Sequence, residues 1–317
     1  MNKKFKSNFA LIGLGGYIAP RHVEAIKKNN CNLSCSLDIN DSVGFIEKYF
    51  PNSQFFTEIG RFDRYIDKIS RTKDKISYVS ICSPNYLHDS HIRLGLRSKS
   101  HVICEKPLVI NPWNLDSIEK MQREYKKKVY SINQLRLHPS IIKLKHKIQN
   151  SKKLHDVEIT YITPRGNWYK YSWKGDENKS GGLLYNIGIH LFDLINYLFG
   201  KIEITKVNFA SENCYSGFIS AKKANIRYFL SIDKNHLNLV SRKKTNNPLK
   251  ILKVDDEKIN LSKNFVNLHT LSYKKILEKR GFEINSIRSG IELTYKIKKS
   301  KVSSPNLDSH PLVSKII

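Results

Sequence analysis

The first 130 or so residues alternate short apolar runs with amphipathic helical stretches, and that rhythm restricts the fold more than any other feature of the chain. "NFALIGLGG" is an apolar run ending in glycines, and a helical pattern then runs from Tyr17 to about Lys28. "NLSCSLDIN", "QFFTEI", "ISYVSICSPN", "HVICEKP" and "VYSIN" read as five further strands. Between them, "SVGFIEKYF", "RFDRYIDKI", "HDSHIRLGLRS" and "WNLDSIEKMQREYKKK" read as helices. Strands alternating with helices at this spacing predict a Rossmann-type, doubly wound parallel sheet. Beyond it the rhythm changes to "HPSIIKLKHKI" (helix), "DVEITYITPRG" (strand) and a long helix at "LLYNIGIHLFDLINYLF". Three successive strands at "ITKVNFASEN", "SGFISA" and "ANIRYFLSI" follow, with late helices at "HTLSYKKILEKRG" and "SIRSGIELTYKIKKS". This half reads as a second α/β domain with a large, mostly antiparallel sheet. The expected division is 1–132 for the first domain and 133–317 for the second, with "SSPNLDSHPLVSKII" as an extended tail.

The chain of 317 residues is long enough for two such cores. Its 55 Lys and Arg against 28 Asp and Glu give a formal charge of +27, which raises the question of nucleic acid. The basic residues are scattered ("YKKK", "SRKK", "KIKKSK") without a stripe interleaved with aromatics, so no nucleic-acid partner is expected. The start "MNKKFKSNFALIGLGGYIAP" imitates a secretory signal, but its apolar run ends in a glycine turn and no small-residue cleavage site follows. "GGLLYNIGIHLFDLINYLFG" is as long as a membrane span, yet it carries Asn186, His190, Asp193 and Asn196, which are costly in lipid. No membrane partner and a cytoplasmic location are therefore expected. Cys31, Cys35, Cys82, Cys104 and Cys214 lack zinc-ligand spacing and read as reduced, buried thiols.

The chemistry begins at the first glycine turn. A dinucleotide fingerprint G-x-G-x-x-G would use Gly13 and Gly15 and then fail at Ile18. With one inserted residue the frame becomes Gly13, Gly16 and the small Ala19, while Gly15 falls where no glycine is required. Gly13 would make the tight turn, and Gly16 would let the backbone approach a pyrophosphate. The helix start at Tyr17 and Ile18 would point N–H groups at the phosphates. Asp38 ends the second strand 25 residues after Gly13, where it can accept from ribose hydroxyls and repel a 2′-phosphate. NAD is thus expected over NADP, with an ordinary helix cap as the plainer reading of Asp38. Ser83, Pro84 and Asn85 lie at the carboxyl end of the fourth strand, the ligand side of such sheets. "HDSH" (His88 to His91) superficially resembles metal ligands, but the rest of a ligand set is lacking, and a solvated helix start is expected. "CEKP" delivers Glu105 and Lys106 to the same edge, with Pro107 keeping Lys106 out of a helix. Asn186, His190 and Asp193, four and three residues apart, share one face of their helix.

Taken together, the glycine turn, "SPNYLH", "EKP" and "GGLLYNIGIHLFD" resemble the Gfo/Idh/MocA oxidoreductases. Longer stretches ("NDSVGFIEKYFP", "CEKPLVINPWNLD", "QLRLHP", "YITPRGNWYKYSWKGDENKSGGL", "LHTLSYKKILEKRGF") are similar to the WlbA-type dehydrogenases of that family. The resemblance implies a Rossmann domain plus an α/β substrate and oligomerisation domain, and NAD-dependent oxidation of C3 of UDP-2-acetamido-2-deoxyglucuronate. It implies cofactor contacts at Gly13, Gly16, Tyr17, Ile18, Asp38, Ser83, Pro84, Asn85, His88, Glu105 and Lys106. His190 aligns with the family's base and Lys106 with its EKP lysine, and which of them takes the hydroxyl proton stays open. Asn186 would orient the sugar. Arg136, His138, Arg165, Tyr169 and Lys174 are candidate clamps for the diphosphate and carboxylate. No metal is implied. The resemblance further implies a homodimer or homotetramer, possible recycling of the cofactor by 2-oxoglutarate, and a PLP-dependent aminotransferase taking the ketone product. The competing expectations are another sugar or inositol dehydrogenase of the family, a non-catalytic NAD-binding regulator, and a basic nucleic-acid binder.

Overall fold

The computed structural model describes residues 5–240, 247–262 and 266–317. The "SRKK" run and the first four residues of the signal-like start lie outside them. The chain divides into two compact units, 1–134 with 267–288, and 135–266 with 289–317. The break near residue 132 is thus joined by a return of the chain into the first unit.

The first unit is built on a seven-stranded sheet. Its parallel strands are β1 (Asn8–Ile12), β2 (Asn32–Leu37), β3 (Gln54–Phe56), β4 (Tyr78–Ile81), β5 (His101–Cys104) and β6 (Val129–Ser131). They run in the order β6-β5-β4-β1-β2-β3, and β13 (Phe282–Glu283) adds an antiparallel edge beside β6. Helices α1 (Ala19–Lys28), α2 (Ile59–Ser70), α3 (His88–Arg97) and α4 (Asn114–Tyr125) connect the strands. β1 has the sequence Asn-Phe-Ala-Leu-Ile, and Phe9, Ala10 and Leu11 are fully buried, each large side chain contributing about 1.5–3 kcal/mol. α1 buries Ala19, His22, Val23 and Ile26, the spacing of one helix face. It begins at Ala19 rather than Tyr17 because Pro20 suits a first turn, where its missing N–H costs nothing. It ends where Asn30 turns left-handed at φ 58°. The helix expected at "SVGFIEKYF" is a single 3-10 stretch, Gly44–Lys48, since Pro51 follows too soon for a longer one.

The second unit starts with α5 (Pro139–Gln149) and β7 (His155–Ile162). Two short helices, α6 (Asn167–Tyr171) and α7 (Glu177–Ser180), precede a π-helical turn at Leu184–Gly188 that runs into α8 (Ile189–Phe199). Strands β8 (Ile202–Ala210), β9 (Cys214–Ala221) and β10 (Ala224–Ser231) follow, then the short α9 (Asn235–Asn238), β11 (Leu249–Val254) and β12 (Glu257–Asn260). The six strands run β12-β11-β7-β10-β9-β8, all antiparallel neighbours except β7 with β10. The apolar side of α8 packs on this sheet through Leu191, Phe192, Ile195 and Phe199. α10 (Leu268–Leu277) returns to the first unit against α1, and the division between units falls within α11 (Ile284–Lys299). The tail bridges Val302 to Val207 and buries Leu312 and Val313. All five cysteines are free and buried. Among the described residues no helix is long and apolar enough to cross a membrane.

Candidate functional site

In the first unit the strand order reverses between β1 and β4, and the loops after these strands meet. Gly13 has φ 90°, and a Cβ there would stand 2.5 Å from the Ser83 backbone nitrogen, so only glycine fits. At Gly16 a Cβ would lie 3.1 Å from the Cys82 and Gly13 carbonyl oxygens. Gly16 N–H donates to Gly13 O at 3.1 Å, and Ala19 N–H to Gly16 O at 3.0 Å, which closes the turn into α1. Tyr17 is 85% exposed, Ile18 is half-buried, and no side chain caps the helix. Such a turn, with a helix N-terminus behind it, is the shape that admits a pyrophosphate.

Asp38 sits half-buried just past β2. Its Oδ2 accepts from Gly15 N–H at 2.8 Å and its Oδ1 from Asn40 N–H at 2.9 Å. A carboxylate can accept about four hydrogen bonds, so both oxygens retain capacity for ribose hydroxyls. Here the glycine that the sequence reading left without a task acquires one. A Cβ on Gly15 would press the Asp38 carboxyl at 3.2–3.3 Å, so Gly15 both orients Asp38 and leaves room for it.

Ser83 and Asn85 are buried and Pro84 is half-buried at the end of β4. The "HDSH" segment is not a solvated helix start. His88 and His91 are 1% and 6% exposed. His88 Nδ1 lies 2.7 Å from Pro107 O and Nε2 2.9 Å from Ser83 O, while His91 Nδ1 meets Ser83 Oγ at 2.8 Å. The ring of His88 therefore braces the loops after β4 and β5, and its nitrogens are committed to backbone. Burial lowers the pKa of His91 to about 4, helped by the charge of His88.

Lys106 is half-buried and joined to Pro107 by a cis peptide. Glu105, expected to face the cofactor, instead turns its carboxylate into the unit. Oε1 is 2.9 Å from His22 Nε2 and 3.1 Å from His269 Nε2, and Oε2 accepts from Lys106 N–H at 3.2 Å. His22 also meets Tyr273 Oη through Nδ1 at 2.7 Å, and none of His22, His269 and Tyr273 stands out in the sequence as a site residue. The signal for the last two was the i, i+4 pair in "HTLSY", which puts His269 and Tyr273 on one face of α10.

In the second unit Asn186 lies in the π turn and His190, half-buried, in the first turn of α8. Such turns often occur at functional sites. Asn186 Nδ2 donates to Tyr169 Oη at 3.0 Å and to Lys174 O at 3.2 Å, which ties the "PRGNWYKYSWKGD" loop to the helix. Lys174 Nζ stands 5.1 Å and 5.7 Å from the ring centres of Trp168 and Trp173. Burial, then the charge of Arg165, lowers its pKa. A cavity of about 340 Å³ beside this loop is lined by Tyr169, Lys174, Gly182, Tyr215 and Lys298. Arg165 is exposed, and His138 is buried at the start of α5. Arg136 is 3% exposed and holds Asp193 through Nε at 2.9 Å and Nη2 at 2.5 Å. That bidentate pair makes Arg136 and Asp193 a buried brace, so Asp193 does not stand with Asn186 and His190 as a polar face.

Residues 7–133 match the family described as an oxidoreductase family with an NAD-binding Rossmann fold, and residues 145–239 its C-terminal alpha/beta domain. The chain is 37% identical to the WlbA (WbpB) dehydrogenase from Thermus thermophilus over 96% of its own length and 99% of that chain. The TM-scores are 0.92 for that enzyme's complex with NAD and alpha-ketoglutarate and 0.93 for its complex with NAD and UDP-GlcNAcA. Glucose-6-phosphate 3-dehydrogenase of Bacillus subtilis is 26% identical over 62% of this chain, and D-glucoside 3-dehydrogenase of Escherichia coli 28% over 42%. Those matches span 55% and 39% of the two enzymes, about half their length or less. This chain belongs to the Gfo/Idh/MocA oxidoreductase family, with an NAD-binding Rossmann domain and the family's C-terminal α/β domain.

Proposed function

We propose that this protein oxidises the C3 hydroxyl of UDP-2-acetamido-2-deoxyglucuronate to the ketone. The observation that carries the reading is the 37% identity across nearly the whole of both chains to a dehydrogenase crystallised with NAD and UDP-GlcNAcA. Two more distant relatives are also sugar 3-dehydrogenases by name. Bound NAD would supply the acceptor for the C3 hydride. Gly13, Gly16 and the start of α1 would receive its pyrophosphate, and Asp38 its ribose, with the carboxylate disfavouring a 2′-phosphate.

Lys106 would hydrogen-bond the reacting oxygen and stabilise the charge that develops as its proton leaves. His190 would serve as the base, an imidazole being suited to proton transfer near neutrality. Asn186 would hold the sugar, and Arg165, Tyr169 and Lys174 the anionic groups of the substrate. The first domain would thus serve the cofactor and the second the substrate and self-association, as a homodimer or homotetramer. Re-oxidation by 2-oxoglutarate is part of the same reading, because the Thermus enzyme was also crystallised with alpha-ketoglutarate. A PLP-dependent aminotransferase would take the ketone, and both steps belong in the cytoplasm.

The test is anaerobic incubation of purified protein with NAD and the UDP-sugar acid, with and without 2-oxoglutarate. Reduced-nicotinamide absorbance and product mass are read. A product two hydrogens lighter, lost in His190→Ala and in Lys106→Ala, is expected. The pH profiles of more conservative variants at the two positions then identify the base. No product from a protein that binds NAD would overturn the substrate assignment.

A further inference from the structure

Glu105 is 6% exposed, and the three groups around it, His22, His269 and Tyr273, are 0%, 5% and 0% exposed. They arrive from three elements: α1, which begins at the glycine turn, the end of β5, and α10. Their hydrogen bonds can be directed from the acceptor outward. An ionised carboxylate only accepts, so His22 and His269 both carry hydrogen on Nε2 and donate to the same Oε1. Burial lowers the pKa of His22 more than the Glu105 bond raises it, so the ring is neutral and its Nδ1 accepts. Tyr273 Oη then donates to Nδ1 at 2.7 Å and accepts from Ser80 Oγ at 2.7 Å. On the other side Lys106 N–H donates to Oε2. Every member from Ser80 to Lys106 has a consistent role.

Burial alone would raise the pKa of Glu105, but the two imidazole hydrogen bonds outweigh it and hold the carboxyl well below the usual range. A buried charge is expensive even when fully bonded, and an apolar side chain of similar size would fill the space more cheaply. The expense falls beside Lys106. We propose that Glu105, held by His22 and His269, is a positioning residue that anchors the Lys106 main chain and sets a fixed negative charge one residue from its ammonium. This rests on the reading of Lys106 as the group at the reacting oxygen. It also links the cofactor turn to Lys106 through a helix, α10, that returns from far along the chain.

The same three residues are the one group among the described residues whose donor atoms could converge on a metal, all lying within 4.8 Å. Their Nε2–Oε1 separations of 2.9 and 3.1 Å are those of N–H···O hydrogen bonds, and a zinc ion would displace both Nε2 hydrogens.

Glu105→Gln preserves shape and removes the charge. Its effect is read first without substrate, as the acylation rate of Lys106 measured by mass spectrometry at pH 8, with exposed Lys48 as the internal control. The charged and titratable groups near Glu105 are His22, His269, Tyr273, Cys82, Cys104, His88 and Lys106. At pH 8 His22, whose pKa burial lowers, brings no compensating charge. Removing its negative charge therefore favours the free amine of Lys106, and acylation should rise at least threefold with Lys48 unchanged. With the UDP-sugar acid, kcat should fall at least tenfold while KM stays within threefold. Glu105→Asp keeps the charge and should return Lys106 acylation to within twofold of wild type.

If Glu105→Gln does not fold, His269→Leu, which strips one donor, should alter Lys106 acylation at least twofold and lower kcat at least threefold. A folded variant with unchanged Lys106 acylation and unchanged kcat would reduce the cluster to a structural brace, and stoichiometric zinc in the purified protein would make it a metal site. Either result overturns the proposal. Wild-type protein that oxidises no UDP-sugar acid, in which Lys106 acylation still responds, would instead remove the proposed function and leave the anchor standing.

Discussion

At the scale of single residues, the site is decided by which atoms have room. Gly13 and Gly15 differ in kind: the first is forced by its backbone, the second by the carboxyl beside it. A Cβ at Gly13 would meet backbone that cannot yield, so Gly13→Ala is not a useful probe. At Gly15 the crowded group is a side chain that can shift by a few tenths of an ångström. Gly15→Ala is therefore expected to keep the melting temperature within a few degrees and weaken NAD binding about 3–10-fold by moving Asp38. Asp38→Ala should weaken NAD more, about 10–100-fold, and narrow the preference over NADP. Fluorescence titration of both cofactors into both variants checks this, and equal affinities in Asp38→Ala and wild type would remove Asp38 from the ribose site. Of these residues, Gly13, Gly16 and Asp38 are candidates in the sequence, the glycines once one residue is inserted into the fingerprint and Asp38 with a helix cap as its plainer reading. Gly15 is not, because its importance lies in a contact with a residue 23 positions away that no local pattern encodes.

At the scale of elements, the six parallel strands of the first sheet were readable from their alternation with helical stretches, whereas the two-residue edge strand β13 was too short to carry a pattern. The substrate-side helix was harder. A strict 3.6-residue period puts Asn186, His190 and Asp193 on one polar face, but a π turn cannot be seen in the spacing, and Arg136 claims Asp193 from α5's approach. The buried pair predicts its own energetics. Asp193→Ala would leave the Arg136 guanidinium buried beside an empty site, and urea unfolding should report a loss of about 3–5 kcal/mol. A loss under 1 kcal/mol would mean that water reaches Arg136. The loop carrying Lys174 should respond in a different quantity. Its ammonium sits between two tryptophans, near Arg165, at the edge of a cavity. Lys174→Met is expected to raise KM for the UDP-sugar acid about tenfold with kcat little changed, since it would remove binding common to the ground and transition states. A fall in kcat at constant KM would place Lys174 in the chemistry instead.

At the scale of the whole molecule, the tail and the return helix show how far apart in sequence the stabilising partners lie. The tail, expected to be merely extended, is tied to the second sheet by His310. Leu312 N–H donates to its Nδ1 at 3.2 Å, so the hydrogen sits on Nε2, which faces Thr160 Oγ1 at 3.1 Å. Protonation would set a hydrogen on Nδ1 against that amide. Burial, with the charge of Arg227, lowers the pKa of His310 to about 3, as burial takes His91 in the first unit to about 4. In the unfolded chain both would titrate near 6.5. Between those values the unfolded state binds more protons than the folded one, so stability is fully present above about pH 6.5 and declines as the pH falls. Well inside the window each such histidine contributes a slope of about 1.4 kcal/mol per pH unit. Urea unfolding between pH 7.5 and 4.5 should therefore show a steady loss on acidification. His310→Gln should flatten the slope of the second unit's transition by about one proton, because an amide can still donate to Thr160 and does not titrate. An unchanged slope in that variant would mean that the tail detaches before His310 is protonated, and the acid sensitivity of that transition would then belong to other groups of the unit, such as His236, whose pKa burial also lowers.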